Sequence, residues 1–135
     1  MRNLLPALLL CITLPVFSQS IAGRWRTIDD VSGKAKSIVE ITVQEGKASG
    51  RIVELVDPAK KDAVCTACTD DRKGQRILGM EIIRDLKADE EEWSDGTILD
   101  PENGKVYDCK LWVEDGALKM RGYIGFLYRT QTWVR

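Results

Sequence analysis

The chain of 135 residues carries 20 Lys and Arg against 21 Asp and Glu, a formal net charge of −1, and no histidine. Basic residues stand singly among acidic ones, which excludes the dense cationic footprint of a nucleic-acid binder and a polybasic membrane patch. The lack of histidine removes the usual general base, the usual proton shuttle and the commonest metal ligand together.

The chain opens MRNLLPALLLCITLPVFSQS. Arg2 is followed by an apolar run and then by Val16-Phe17-Ser18, the three-part pattern of a secretory signal peptide over residues 1–18. The run is short for a spanning helix, so an uncleaved anchor is the lesser alternative. Cys11 lies inside the run and not after it, which argues against a lipoprotein. The expectation is an exported chain, periplasmic or extracellular, that begins near Gln19, folds as a single domain over residues 19–135 and has no stable membrane insertion after cleavage.

Beyond the leader, period-two segments separated by turn residues dominate. Residues 22–28 (AGRWRTI) make a first strand. Residues 37–43 alternate, with Ser37, Val39, Ile41 and Val43 on one face. Glu45-Gly46 turns into residues 48–56, and residues 77–86 (ILGMEIIRDL) read as strand in preference to helix because of their isoleucines. ADEEE over residues 88–92 reads as an exposed turn before a strand at 93–99, and DPENG over residues 100–104 is a turn signal. Residues 106–113, 118–124 and 128–135 complete about eight strands. The prediction is an all-β fold, a small antiparallel up-and-down barrel in preference to a sandwich.

Pairing of the first and last strands of such a barrel brings Gly23-Arg24-Trp25 beside Trp133-Val134-Arg135 at one end. An Arg stacked on a Trp is a favourable cap for an apolar interior. Gly-x-Trp on the first strand with a late Arg resembles the lipocalin and calycin signature. A stronger resemblance covers nearly all of the chain after the leader. The blocks GRWRTIDDVSGKAKSIVEI, VCTAC, ILGMEI, GTILDPENGKVYDCKL and RGYIGFLYRTQTWVR, in that order, resemble domain of unknown function 2147, a family of small secreted bacterial proteins. The resemblance implies a lipocalin-like barrel and export. It implies no established activity and supplies no catalytic residue.

Cys65 and Cys68 form a C-x-x-C in a polar loop. In an oxidising compartment such a pair closes on itself, and the disulfide stabilises by restricting the unfolded chain. Four zinc ligands are hard to assemble without histidine, although Asp70 or Asp71 could join Cys109 in an uncommon site. A redox role would want the first Cys at a helix start in a βαβ context. The favoured reading is a Cys65–Cys68 staple, with no metal and no cofactor. Cys109 sits on the apolar face of its strand with Tyr107, Leu111 and Val113 and reads as a small hydrophobe; pairing with Cys65 or Cys68 is the alternative.

Asp29-Asp30 suggests a cation site or paired carboxylates, but Ser32-Gly33 beside it favours a turn in which an Asp side chain caps backbone amides. No phosphate loop, nucleophile elbow or EF-hand spacing occurs, and an enzyme is not expected. The better site candidate lies on the last strand, where Arg129, Gln131, Trp133 and Arg135 share a face by period two. Directed inward, beside Trp25, they would suit a small hydrophobic or amphipathic ligand such as a fatty acid, with Arg holding the carboxylate. Directed outward, they leave Thr130, Thr132 and Val134 to fill the interior. The second hypothesis is a solid barrel acting through its surface as an interaction or envelope-associated module, with Trp93 and Trp112 as exposed aromatic candidates.

Overall fold

The computed structural model describes residues 3, 8–12 and 20–135, so the leader expected over residues 1–18 falls largely outside the described residues. Eight strands run in chain order: β1 (Gly23–Ile28), β2 (Ala35–Gln44), β3 (Lys47–Leu55), β4 (Glu81–Asp89), β5 (Glu92–Leu99), β6 (Val106–Glu114), β7 (Ala117–Ile124) and β8 (Leu127–Trp133). Each pairs antiparallel with the next in one sheet. Among the described residues no helix is long and apolar enough to cross a membrane.

Alternation explains the strands. In β2, Ser37, Val39 and Ile41 are buried while Lys36 and Thr42 are exposed, the signature of a sheet with one face in a core. The sheet then curls until its ends meet. Arg26 N–H donates to the Val134 carbonyl at 2.6 Å, and Val134 N–H donates to the Arg26 carbonyl at 3.1 Å. Sequential strand order with a bridge between first and last strands is a nearly closed up-and-down barrel, not a sandwich.

Two differences from the sequence expectation have local causes. The fourth strand begins at Glu81, because residues 77–80 turn instead of extending: Met80 N–H donates to the Ile77 carbonyl at 3.1 Å. The second concerns β5. Trp93 lies opposite Leu111 and Gly96 opposite Cys109, so three steps on β5 match two on β6. Asp95, at φ 62°, is the extra residue of this β-bulge. The bulge reverses the alternation across it, and Trp93 is half-buried against the core although its sequence neighbours are polar.

The connections sort into two ends. Three two-residue turns, at 45–46, 90–91 and 115–116, lie at the same end as the chain entering β1 and leaving β8. The other end, the mouth, carries loops 29–34, 56–80, 100–105 and the 125–126 turn. The first and third of these are one loop used twice. In both DDVSGK and DPENGK the amide of the first Asp donates to the Lys carbonyl at 2.9 Å, and the Gly amide donates to that Asp carbonyl at 2.8 Å. The side chains act alike as well: Asp29 Oδ1 accepts from Val31 N–H and Ser32 N–H, and Asp100 Oδ1 accepts from Glu102 N–H. Backbone hydrogen bonds from Ser32 and Val31 hold the Asp29 carboxyl below its ordinary range.

The closed half is solid. Trp25, Val39, Leu86, Leu111 and Leu118 are fully buried there. Arg135 closes that end, its guanidinium 4.0 Å from the centre of the Trp25 ring while Nη2 donates to the Ser20 carbonyl at 3.0 Å.

Candidate functional site

Above that packed layer the barrel is hollow. A cavity of about 1000 Å3 opens at the mouth, with Ile52, Leu55, Ile98, Met120 and Trp133 among its walls. The barrel is therefore neither filled throughout nor open throughout: the cap and core occupy one half and the cavity the other.

The odd-numbered face of β8 points inward. Arg129, Gln131 and Trp133 all line the cavity. They form a chain of hydrogen bonds that ends on the first mouth loop. Trp133 Nε1–H donates to Gln131 Oε1 at 2.9 Å, and Gln131 Nε2–H donates to Asp30 Oδ1 at 3.3 Å. Arg129 grips the same carboxylate with two bonds, Nε to Oδ2 at 2.9 Å and Nη2 to Oδ1 at 2.6 Å. Burial alone would raise the Asp30 pKa; the hydrogen bonds from Arg129 and Gln131, with the Arg129 charge, outweigh it and hold the carboxyl below its usual range. These contacts join β8 to the β1–β2 loop on the mouth side of the Arg26–Val134 bridge, where the side chains close the seam. Asp30 belongs to this site, and the DD pair that promised a turn holds two different roles: Asp29 builds the loop and Asp30 leaves it.

Deeper in the cavity Thr27 and Ser37 face each other, their hydroxyls 2.8 Å apart, and the Ser37 amide donates to Thr27 Oγ1 at 3.1 Å. At the mouth Asn103 Nδ2–H donates to the Tyr107 hydroxyl oxygen at 3.3 Å.

Loop 56–80 forms one wall of the mouth and is fixed from below. Cys65 and Cys68 form a disulfide with Cα atoms 5.5 Å apart, and both residues are fully buried. Arg72, also buried, is held by Asp70 through Nε–H and Nη2–H, and it donates from Nη1 to the Glu81 carbonyl at 3.0 Å. Arg84 on β4 takes Asp71 in a bidentate pair, both bonds 2.9 Å. The stretch CTACTDDR thus clamps the long loop to the start of β4. Its cysteines are joined to each other and its carboxylates are engaged by arginines, which removes the ligand set considered for a metal. The third cysteine of the barrel, Cys109, is free and buried on the inner face.

Three of the predicted positions need correction. Trp25 and Arg135 do not line the cavity; they form the opposite end, because the Arg26–Val134 bridge sets Trp133 level with Thr27 and leaves Trp25 two residues further from the mouth. Trp93 is turned onto the core by the Asp95 bulge. Trp112 does face outward on β6, but it is half-buried: Arg121 lies 4.9 Å over its ring, and its indole N–H donates to Glu114 at 3.2 Å. Arg121 also stacks 4.4 Å over Tyr128, so this side of the barrel carries a cation between two rings. The exposed apolar residues are elsewhere. Ile124, Phe126, Leu127 and Tyr128, at the tip of the β7–β8 hairpin, stand out at the mouth, with Phe126 93% exposed. The signal was the apolar YIGFLY, with the two-residue turn Gly125-Phe126 at its centre.

A sequential eight-stranded barrel with a Trp–Arg cap at one end and a hollow at the other is a lipocalin-like fold. The chain belongs to the family described as uncharacterized protein conserved in bacteria (DUF2147), whose pattern matches residues 23–135. Among solved structures it is similar to protein HP1028 from Helicobacter pylori, described as belonging to the lipocalin family. The TM-score is 0.74 at 20% identity, over 86% of this chain and 82% of that one. No curated protein matches it.

Proposed function

We propose that this protein is an exported, non-enzymatic carrier that holds a small hydrophobic or amphipathic molecule in the mouth half of its barrel. The observation that carries this reading is the cavity of about 1000 Å3. That volume lies at the large end of the range for small-molecule sites, and its walls are apolar with a few convergent polar groups. Export is supported by the leader pattern of residues 1–18 and by the Cys65–Cys68 disulfide, a bond typical of oxidising compartments. The test is a native mass spectrum of the protein purified from its host's exported fraction. A reproducible adduct of lipid-like mass, on a chain that begins near Gln19, is the expected result. A bare protein, together with no uptake of apolar probes, would remove the carrier reading.

A second reading, a barrel that acts through its surface, is supported by the hairpin tip of Ile124, Phe126, Leu127 and Tyr128. Exposed apolar clusters of this kind mark interaction sites. A double variant Phe126→Asp with Leu127→Asp that keeps probe uptake but loses association with the envelope fraction would favour it.

A further inference from the structure

The cavity walls carry cations, and an amphipathic anion would need one of them free. Each of the three already faces a carboxylate. Arg129 is bound bidentate by Asp30 at 2.9 and 2.6 Å. Lys36 and Lys60 share Glu102, at 3.4 and 3.6 Å. The remaining carboxylates of the wall, those of Asp29, Asp57 and Asp100, accept backbone amides of their own turns and offer an anion no donor.

The interior offers a charged head group few unengaged donors and no cation of its own. Trp133 commits its indole N–H to Gln131, Gln131 gives one amide N–H to Asp30, and the Thr27 and Ser37 hydroxyls bond each other. A carboxylate taken into such a wall exchanges its water for few unengaged neutral donors and no unengaged cation, which is the costly case of burying a charge. The Tyr107 hydroxyl accepts from Asn103 and keeps its own proton, a neutral donor suited to one carbonyl or hydroxyl oxygen.

We propose that Asp30 is a specificity-determining residue: by occupying Arg129 it turns the cavity from a carboxylate site into one for an uncharged apolar molecule with a lone acceptor oxygen. This rests on the carrier reading and narrows it, against the expectation from sequence that Arg129 would hold a fatty-acid head group. It also assigns Asp30 a function separate from closing the seam, since removing its charge without its shape should change which ligands are taken.

The test uses the mature chain at pH 8 with N-phenyl-1-naphthylamine, an uncharged fluorescent probe, displaced by 1-dodecanol, dodecanoate or dodecylamine below their aggregation limits. The expected result is that dodecanol displaces the probe at least about tenfold more tightly than either charged analogue, a difference of roughly 1.4 kcal/mol. In Asp30→Asn, which keeps the side-chain shape, dodecanoate should gain about tenfold while dodecanol stays within about twofold, the gain being of the size of one charge-assisted bidentate contact. In the double variant Asp30→Asn with Arg129→Gln that gain should vanish. Dodecanoate or dodecylamine matching dodecanol on the unaltered protein would overturn the ligand class and leave the carrier reading standing. An unchanged dodecanoate affinity in a folded Asp30→Asn would overturn the role of Asp30. Failure of the probe itself to bind would overturn the carrier reading and this inference with it.

Discussion

The Arg135 guanidinium lies 4.0 Å from the centre of the Trp25 ring and packs close beside Gly23. A Cβ on Gly23 would stand 3.1 Å from Arg135 Nη1, and the backbone there has φ +116°, a conformation L-residues rarely adopt. Gly-x-Trp and the terminal Arg are thus one device. Arg135→Ala should cost about 1 kcal/mol, the range of a partly desolvated cation–π contact, and Trp25→Ala about 3–5 kcal/mol as a buried aromatic truncation. Because the device sits opposite the mouth, Arg135→Ala should leave probe affinity unchanged. Chemical denaturation and probe titration of the same variant check both halves.

A second close approach ties the disulfide loop to the mouth. A Cβ on Gly104 would lie 2.0 Å from the Ala67 carbonyl oxygen, and the residue has φ +73°. Backbone cannot yield as a side-chain tip can, so Gly104→Ala should cost about 2–3 kcal/mol and release residues 56–80. Limited proteolysis should then cut within that loop well before the barrel unfolds. A resistant loop in Gly104→Ala would show that the docking is not what holds it.

Cys109 is a free thiol on the inner face, and burial chiefly, with the nearby Asp108 charge, pushes its pKa up to about 12. The thiolate is the reactive form, so an alkylating reagent at pH 8 should leave the native protein unlabelled. In guanidinium a chain of residues 19–135 should take a single label, with Cys65 and Cys68 joined to each other. Mass spectrometry before and after denaturation reads this directly. Rapid native labelling would place the thiol outside the core.

The Asp70 carboxyl is lowered to about 2 from 3.8, mainly by hydrogen bonds from Arg72. A depressed folded pKa contributes stability that is full above the unfolded value and disappears as pH falls through the folded one. Thermal stability should therefore weaken between roughly pH 4 and pH 2, and Asp70→Asn should flatten that part of the profile. An unchanged acid limb in Asp70→Asn would mean that other carboxylates set it.

Much of the fold was legible because it depends on local alternation. Ser37, Val39 and Ile41 announce an inward face by themselves, and DPENG announces a turn. Trp93 was illegible for the same reason: the bulge at Asp95 shifts the face by one, and a one-residue shift reverses the alternation beyond it. The cavity site was half legible. Period two put Arg129, Gln131 and Trp133 on one face of β8, but it could not say that the Arg129 guanidinium already has a partner in Asp30, ninety-nine residues earlier.

By itself, then, the sequence determined the strand pattern, the barrel class, the turn loops and the charge balance, all of which come from residues close together in the chain. Only the tertiary structure decided where the barrel is solid and where it is hollow, which tryptophans line it, and whether its arginine is free. Those properties depend on closure between β1 and β8, where residues distant in sequence meet and cancel one another's charge.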